Sequence, residues 1–291
     1  MHKAGFVNII GRPNAGKSTL MNALVGEKLS IITSKAQTTR HRIHGIVNGE
    51  DFQIVYSDTP GILKPHYKLQ EAMLKSVRSA LTDADIILYV SDVHEDTEEK
   101  NEVIEKIKSS GTETILALNK IDLSTQEEVS LLLHAWQKIL PSAVILAVSA
   151  LHGHNISGLF DLIIEKLPEH PPYYPKDEIT DRTERFFASE ILREKILINY
   201  SQEIPYSVEA EIESFREDER LIRISAIIYT EKESQKGIII GNKGRALKKT
   251  ATEARLEMER FFDKKVFLEL VVKVRKDWRN NERMLRQFGY N

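Results

Sequence analysis

Gly11-Arg12-Pro13-Asn14-Ala15-Gly16-Lys17-Ser18 follows the apolar run Phe6-Val7-Asn8-Ile9-Ile10 and precedes Thr19-Leu20-Met21-Asn22-Ala23-Leu24, which reads as a helix. A strand, a loop of spacing G-x-x-x-x-G-K-S and a helix start make a phosphate-binding loop. Gly11 and Gly16 let the backbone wrap closely, so successive N–H groups and the helix N-terminus face an anion. Pro13, Asn14, Ala15 and Thr19 complete the lining of that cradle. Lys17 is expected to reach the β- and γ-phosphates, and the Ser18 hydroxyl to ligate Mg²⁺.

At 291 residues the chain suits two domains, each large enough to bury a core. No apolar run approaches the roughly 20 residues that span a bilayer. Met1-His2-Lys3-Ala4-Gly5 runs straight into the first strand, so no signal peptide is expected, and the chain has no cysteine. Together these features predict a cytoplasmic protein. The net charge of −2 hides an asymmetry: residues 1–170 carry 17 Lys and Arg against 21 Asp and Glu, residues 171–231 carry 8 against 14, and residues 232–291 carry 16 against 8. A basic C-terminal fifth on an acidic protein suggests a polyanionic partner, although a solvated helix face would leave the same trace.

Two strand-like runs follow the first helix, Ile43 to Val47 and Phe52 to Tyr56, and the second ends in Asp58-Thr59-Pro60-Gly61. An acid at the tip of an apolar strand is where a phosphate-loop protein places its Mg²⁺ carboxylate. Gly61 lets the backbone turn and offers an N–H to the γ-phosphate. The apolar runs Asp85 to Val90 and Thr114 to Leu118 read as strands covered on both faces, and the second ends in Asn119-Lys120-Ile121-Asp122. A carboxylate at Asp122 accepts from both N1–H and the exocyclic amine of guanine. Adenine would leave it unpaired, at a cost of roughly 1–3 kcal/mol or more. Lys120 is expected over the base plane, with Asn119 tying this loop to the phosphate loop. The run Ala143 to Val148 ends in Ser149-Ala150-Leu151, where a backbone N–H, read as that of Ala150, faces guanine O6. Helical stretches at Leu69–Leu81, Asn101–Ser110, Glu127–Ile139 and Ile156–Leu167 alternate with the strands. They predict an α/β, doubly wound, mostly parallel sheet with its GTP site at the strand carboxyl ends.

The set GRPNAGKS, DTPG, NKID and SAL is similar to the translation-factor-related small GTPases, and Lys35-Ala36-Gln37-Thr38-Thr39-Arg40-His41-Arg42 resembles switch I of the Era family. The resemblance implies that Thr39, rather than Thr38, closes on Mg²⁺ in the GTP state. One position departs from the Ras-like pattern. Ile62 stands where such proteins carry a water-orienting glutamine, so unaided hydrolysis is expected to be slow and to rest on Lys17, Thr39, the Gly61 N–H and Mg²⁺. Related GTPases lacking that glutamine hold K⁺ on an asparagine at the place of Asn14, which makes K⁺ an expected activator.

Leu167 to Pro175 holds four of the nine prolines and reads as a semi-rigid connection. The expected organisation is a GTPase domain over residues 1–167, a linker over 168–181 and a second domain over 182–291. In the latter, a helix at Arg182–Tyr200, strands at 208–213 and Arg220–Tyr229, a helix before Gly241-Asn242-Lys243-Gly244, a helix at Arg245–Phe262 and a strand at Val266–Val272 give the order α-β-β-α-(GxxG)-α-β. That is the α+β type II KH arrangement, in which the glycine loop clamps about four nucleotides. Ile240, Gly241, Asn242, Lys243, Gly244, Arg245, Lys248 and Lys249 are the candidate RNA contacts. The tail from Lys273 through Arg286 is read as extending this basic surface, with Trp278 packed on the core. The acidic stretch Asp92 to Glu105 is read as a solvated helix face.

The Era resemblance spans essentially the whole chain. It implies a monomeric ribosome-assembly factor that binds the 3′ region of 16S rRNA on the small (30S) subunit under GTP control, with weak peripheral membrane contact. Two other readings stay open: a signalling GTPase whose second domain binds protein or membrane, and an RNA-binding protein with a silent nucleotide domain.

Overall fold

The computed structural model describes residues 1–97 and 102–290. It divides into two units: the first takes in Met1–Ser30, Thr39–Pro65 and Met73–Asp181, the second Ile31–Thr38, His66–Ala72 and Arg182–Asn291.

In the first unit the order is β1 (Lys3–Gly11), α1 (Lys17–Val25), β2 (Ile43–Asn48), β3 (Phe52–Asp58), α2 (Lys68–Thr82), β4 (Ile86–Asp92), α3 (Glu102–Ser110), β5 (Glu113–Asn119), α4 (Gln126–Ile139), β6 (Val144–Ala147) and α5 (Ile156–Lys166); the first turn of α2 falls in the second unit. The expected start of α3 at Asn101 lies outside the described residues. The sheet runs β2-β3-β1-β4-β5-β6, with only β2 antiparallel to its neighbour. β4 is buried from Ile86 to Ser91, as a central parallel strand covered on both faces should be. Helix α4 begins with a reciprocal capping box between Thr125 and Glu128. The consequence for function is positional: Gly11, Asp58, Asp92 and Asn119 all end strands on the same edge of one sheet.

Residues 168–181 pack within the first unit. Ala4 N–H donates to Pro168 O at 3.1 Å and Ile46 N–H to Ile179 O at 2.8 Å. The buried Gln53 accepts from the N–H groups of Tyr173 and Tyr174 and donates back to Tyr174 O. Polyproline-like backbone makes no internal ladder of hydrogen bonds, and here Gln53 of β3 supplies partners to it, which composition alone does not reveal.

The second unit contains α6 (Glu184–Asn199), β7 (Glu209–Glu217), β8 (Leu221–Thr230), α7 (Glu233–Ile240), α8 (Arg245–Phe261), β9 (Lys265–Val274) and α9 (Glu282–Gln287). Its sheet runs β7-β8-β9, antiparallel then parallel. Leu192 and Ile196 of α6, Ile224 and Ile228 of β8, Ile239 of α7 and Met258 of α8 meet in one core. The segment 31–38 is held here by side chains of α6. Arg193, itself paired with Glu190 at 2.6 Å, donates to Gln37 O at 3.3 Å and to Thr38 O. Lys35 donates to the carbonyls of Leu197 and Tyr200, orphan acceptors at the helix C-terminus.

The tail combines a buried anchor with exposed cations, and of its basic residues only Arg279 is half-buried. Trp278 is fully buried, donating from Nε1 to Ser207 O at 3.0 Å and packing edge-on to Phe288. Arg279 is bound to Glu231 and lies 4.6 Å over the Tyr67 ring. On either side of this anchor Lys273, Arg275, Lys276, Arg283 and Arg286 stand exposed. Trp278→Ala should therefore cost the second unit about 3–5 kcal/mol in urea-induced unfolding, while GDP binding by the full chain stays unchanged.

Candidate functional site

The phosphate loop is shaped by two left-handed residues, Asn14 (φ 64°) and Gly16 (φ 96°). Gly16 admits no side chain, because a Cβ there would lie 2.2 Å from Asn119 Nδ2. Behind it, Lys17 at the start of α1 is buried and donates from Nζ to Gly11 O at 3.0 Å and Arg12 O at 2.8 Å. Burial brings its pKa down to about 8 against the opposing pull of Asp58 and Glu95. Pro13 and Thr19 are half-buried, Ala15 buried and Asn14 exposed on the loop.

Beside this loop Ser18 Oγ donates to Asp58 Oδ2 at 2.7 Å and lies 2.9 Å from Thr39 Oγ1, which in turn reaches Asp58 Oδ2 at 3.2 Å. Thr38 turns elsewhere, to Thr33 and the Lys35 carbonyl. Burial raises the Asp58 pKa, and its Oδ1 is a buried oxygen without a hydrogen-bond partner. One orphaned carboxylate oxygen with two hydroxyls suits a hard cation that keeps water and takes its remaining ligands from phosphate. Among the described residues no group of three His, Cys, Asp or Glu could hold a metal by itself.

Two of the expected ligand contacts in these loops are already committed to the protein. Thr59 is wholly buried and donates from Oγ1 to Ile9 O at 2.7 Å, tying the end of β3 to β1. Pro60 is buried as well, Gly61 presses against Pro13, and Ile62 N–H donates to Gly11 O at 3.2 Å. The Ala150 N–H, expected on guanine O6, donates to Asn119 Oδ1 at 2.9 Å, and Leu151 is exposed.

Asn119 spans three loops: its Nδ2 donates to Ala15 O at 2.9 Å while its Oδ1 receives Ala150. Asp122 is positioned by Ser149, whose Oγ donates to Oδ1 at 2.5 Å. That bond is the main reason the carboxyl stays below its ordinary pKa. The acidic stretch after β4 is not a solvated face at its start, because Asp92 pairs with Lys120 at 2.6 Å and Glu95 accepts from the Tyr89 hydroxyl. Glu98 and Glu99 of that stretch lie outside the described residues. The charge run masked these two acids, since a count does not show which carboxylates turn inward.

In the second unit Gly241 (φ 70°), Lys243 (φ 51°) and Gly244 (φ 75°) turn the chain between α7 and α8. A Cβ on Gly241 would lie 2.6 Å from Ala246 Cβ, whereas one on Gly244 would meet nothing within 4 Å. Asn242, Lys243, Arg245, Lys248 and Lys249 are exposed and Ile240 is half-buried. The structure thus brings the expected cations to one loop and the first turns of α8.

These features define a phosphate-loop GTPase domain followed by a KH domain. Residues 6–120 match the family described as 50S ribosome-binding GTPase, and residues 203–279 match the KH domain. The chain is 50% identical to GTPase Era of Syntrophus aciditrophicus, over 100% of this chain and 96% of that protein. It is 44% identical to the chloroplastic GTPase ERA1 of Zea mays, over 99% of this chain and 71% of that one. Two solved structures superpose with TM-scores of 0.95 at 38% identity: an Aquifex aeolicus Era variant bound to GDP and AlF4⁻ (99% of each chain), and Era with MgGDPNP and nucleotides 1506–1542 of 16S ribosomal RNA (100% of this chain, 99% of that one). The chain belongs to the Era family, and it is a GTPase.

The depressed Lys17 pKa gives a test of the site. With Lys17 on the phosphates as expected, a bound triphosphate would restore the ammonium, so GTP binding should take up a proton above pH 8 and affinity should fall as pH rises through that value. Calorimetry in two buffers of different ionisation heat should show close to one proton taken up at about pH 9 and almost none at about pH 6.5. A binding heat independent of buffer at the higher pH would contradict this.

Proposed function

We propose that this protein is a GTP-controlled RNA-binding factor of small-subunit assembly, working as a monomer in the cytoplasm and holding the 3′ region of 16S rRNA in its KH domain. The observation that carries the reading is the Gly241–Gly244 turn, with Asn242 and Lys243 exposed at its tip and Lys248 and Lys249 one turn on, in a chain that also carries the guanine-type carboxylate Asp122. The Era structure that holds both MgGDPNP and a 16S rRNA fragment supports the same pairing of ligands.

At the GTP site, Ser18, Thr39 and Asp58 would hold Mg²⁺, which supplies positive charge to the β- and γ-phosphate oxygens. Lys17 leaves its loop carbonyls to place an ammonium on those phosphates, and Gly61 offers its N–H to the γ-phosphate. Asp122, oriented by Ser149, takes the guanine N1–H and amine, while Asn119 keeps the base loop and phosphate loop at fixed separation. Ile62 has no group that can orient water, so turnover is slow without help. Asn14, exposed on the loop, would hold K⁺, which would supply added positive charge near the phosphates, and GTPase rate should then rise when K⁺ replaces Na⁺.

One peptide bond separates the proposed cation site from a segment held by the second unit. Thr39 belongs to the cation site, and its neighbour Thr38 gives its carbonyl to Arg193 of α6 in the second unit. A shift of Thr39 as nucleotide and cation bind would therefore be felt by the segment that α6 holds.

RNA crosslinking and sequencing with the full chain tests the RNA half. The N242D/K243D variant should lose at least about tenfold in crosslinks to the rRNA 3′ region, because reversed charge repels phosphate, while binding GTP normally. Undiminished crosslinks, or crosslinks spread evenly over unrelated RNA, would overturn the reading in favour of a protein- or membrane-binding second domain.

A further inference from the structure

Asp92 closes β4 directly beside Asn119 of β5 in the sheet register. Its Oδ2 lies 2.6 Å from Lys120 Nζ, and its side chain is 13% exposed against 29% for the lysine. The carboxylate is itself fixed by the turn that follows. Its Oδ1 accepts from His94 N–H at 2.9 Å, and the Asp92 carbonyl accepts from Glu95 N–H at 3.1 Å. Lys120 is equally constrained at its other end. Its backbone is left-handed (φ 61°, ψ 32°) and caps the short turn Ile121–Leu123. The four-carbon stem is therefore stretched between two fixed points, from the end of β5 to the end of β4.

We propose that Asp92 is a positioning residue for guanine. By gripping Nζ it holds the Lys120 stem across the strand ends as a ready apolar platform for one face of the base. A free lysine would have to be ordered at each binding event, and a stem already extended removes that entropic loss. The grip has a second effect. Asp122 feels the Lys120 charge, and an ammonium released from Asp92 would turn toward that carboxylate and compete with the guanine edge for its oxygens. Asp92 keeps the one cation of the loop away from the acceptor that reads the base. An exposed ion pair does little for stability; this one is short, charge-assisted and largely shielded, and its effect falls on the ligand rather than on the fold. The inference rests on the assignment of Asp122 to the guanine edge.

Dissociation of a fluorescent GDP analogue from the full chain, followed by stopped flow, tests it through a double-mutant cycle. Asp92→Ala should release GDP about tenfold faster, and Lys120→Met should do so as well. The double variant should be no faster than Lys120→Met alone, since Asp92 acts only through that lysine. Asp92→Asn keeps the shape and the His94 bond but loses the charge. It should show an intermediate rate and an unchanged melting temperature without nucleotide, and it stands in if the alanine variant fails to fold. Rates within twofold of the parent in both Asp92 variants, or effects of Asp92→Ala and Lys120→Met that multiply, would overturn the proposal. Asp122→Asn separates the underlying assignment: a switch from GDP to XDP upholds it, so that silent Asp92 variants would then sink the platform alone. Unchanged GDP preference would remove both.

Discussion

One buried amide holds the nucleotide site together. Asn119 is 2% exposed, and both halves of its side chain are used, Nδ2 on the phosphate loop at Ala15 and Oδ1 on the loop after β6 at Ala150. Removing it would strand a buried carbonyl and a buried N–H, each at about 1–3 kcal/mol. The contact also explains Gly16, whose missing side chain makes room for the amide. The loops proposed to take the phosphates and the base come from segments more than a hundred residues apart, and this amide ties them together. Asp92 and Ser149 extend the same plan by fixing, in turn, the lysine and the carboxylate of the base loop.

A second constraint concerns the stretch before Thr39. Residues 31–38 stand between two elements of the first unit in sequence, yet they pack in the second, where Arg193 and Lys35 exchange hydrogen bonds between that stretch and α6. The buried Arg193–Glu190 pair is thus spent on holding backbone carbonyls of a segment adjoining the proposed cation site. A buried ion pair is weak evidence for stability but a good way to specify one arrangement. Here the arrangement specified is that of the segment whose next residue touches Ser18 and Asp58.

Much of this was legible in the sequence where chemistry and spacing coincide. The strand ends at Gly11, Asp58 and Asn119 follow from apolar runs that stop at a polar motif, and the turn at Gly241–Gly244 follows from its place between two helices. Other features were hidden because they depend on which way a side chain turns. Asp92 and Glu95 looked like two acids in an acidic run, but one grips Lys120 and the other accepts from the Tyr89 hydroxyl and acts on the phosphate loop's lysine through its charge. Thr59 and the Ala150 N–H carry the right chemistry for a ligand and are spent on Ile9 and Asn119 instead. The prolines of 168–175 marked a connecting stretch; Gln53, distant in sequence, is what binds that chain to the first unit. Arg279 added to a favourable charge count but is paired with Glu231.

The central claim is that GTP governs RNA binding in this protein, and the affinity of the full chain for an RNA spanning the small-subunit 3′ end tests it most directly. Measured at one salt concentration with a non-hydrolysable GTP analogue, with GDP and without nucleotide, Kd should differ by about tenfold or more between the first two states, within the usual range of coupling between linked sites. Identical affinities in all three states would contradict the account.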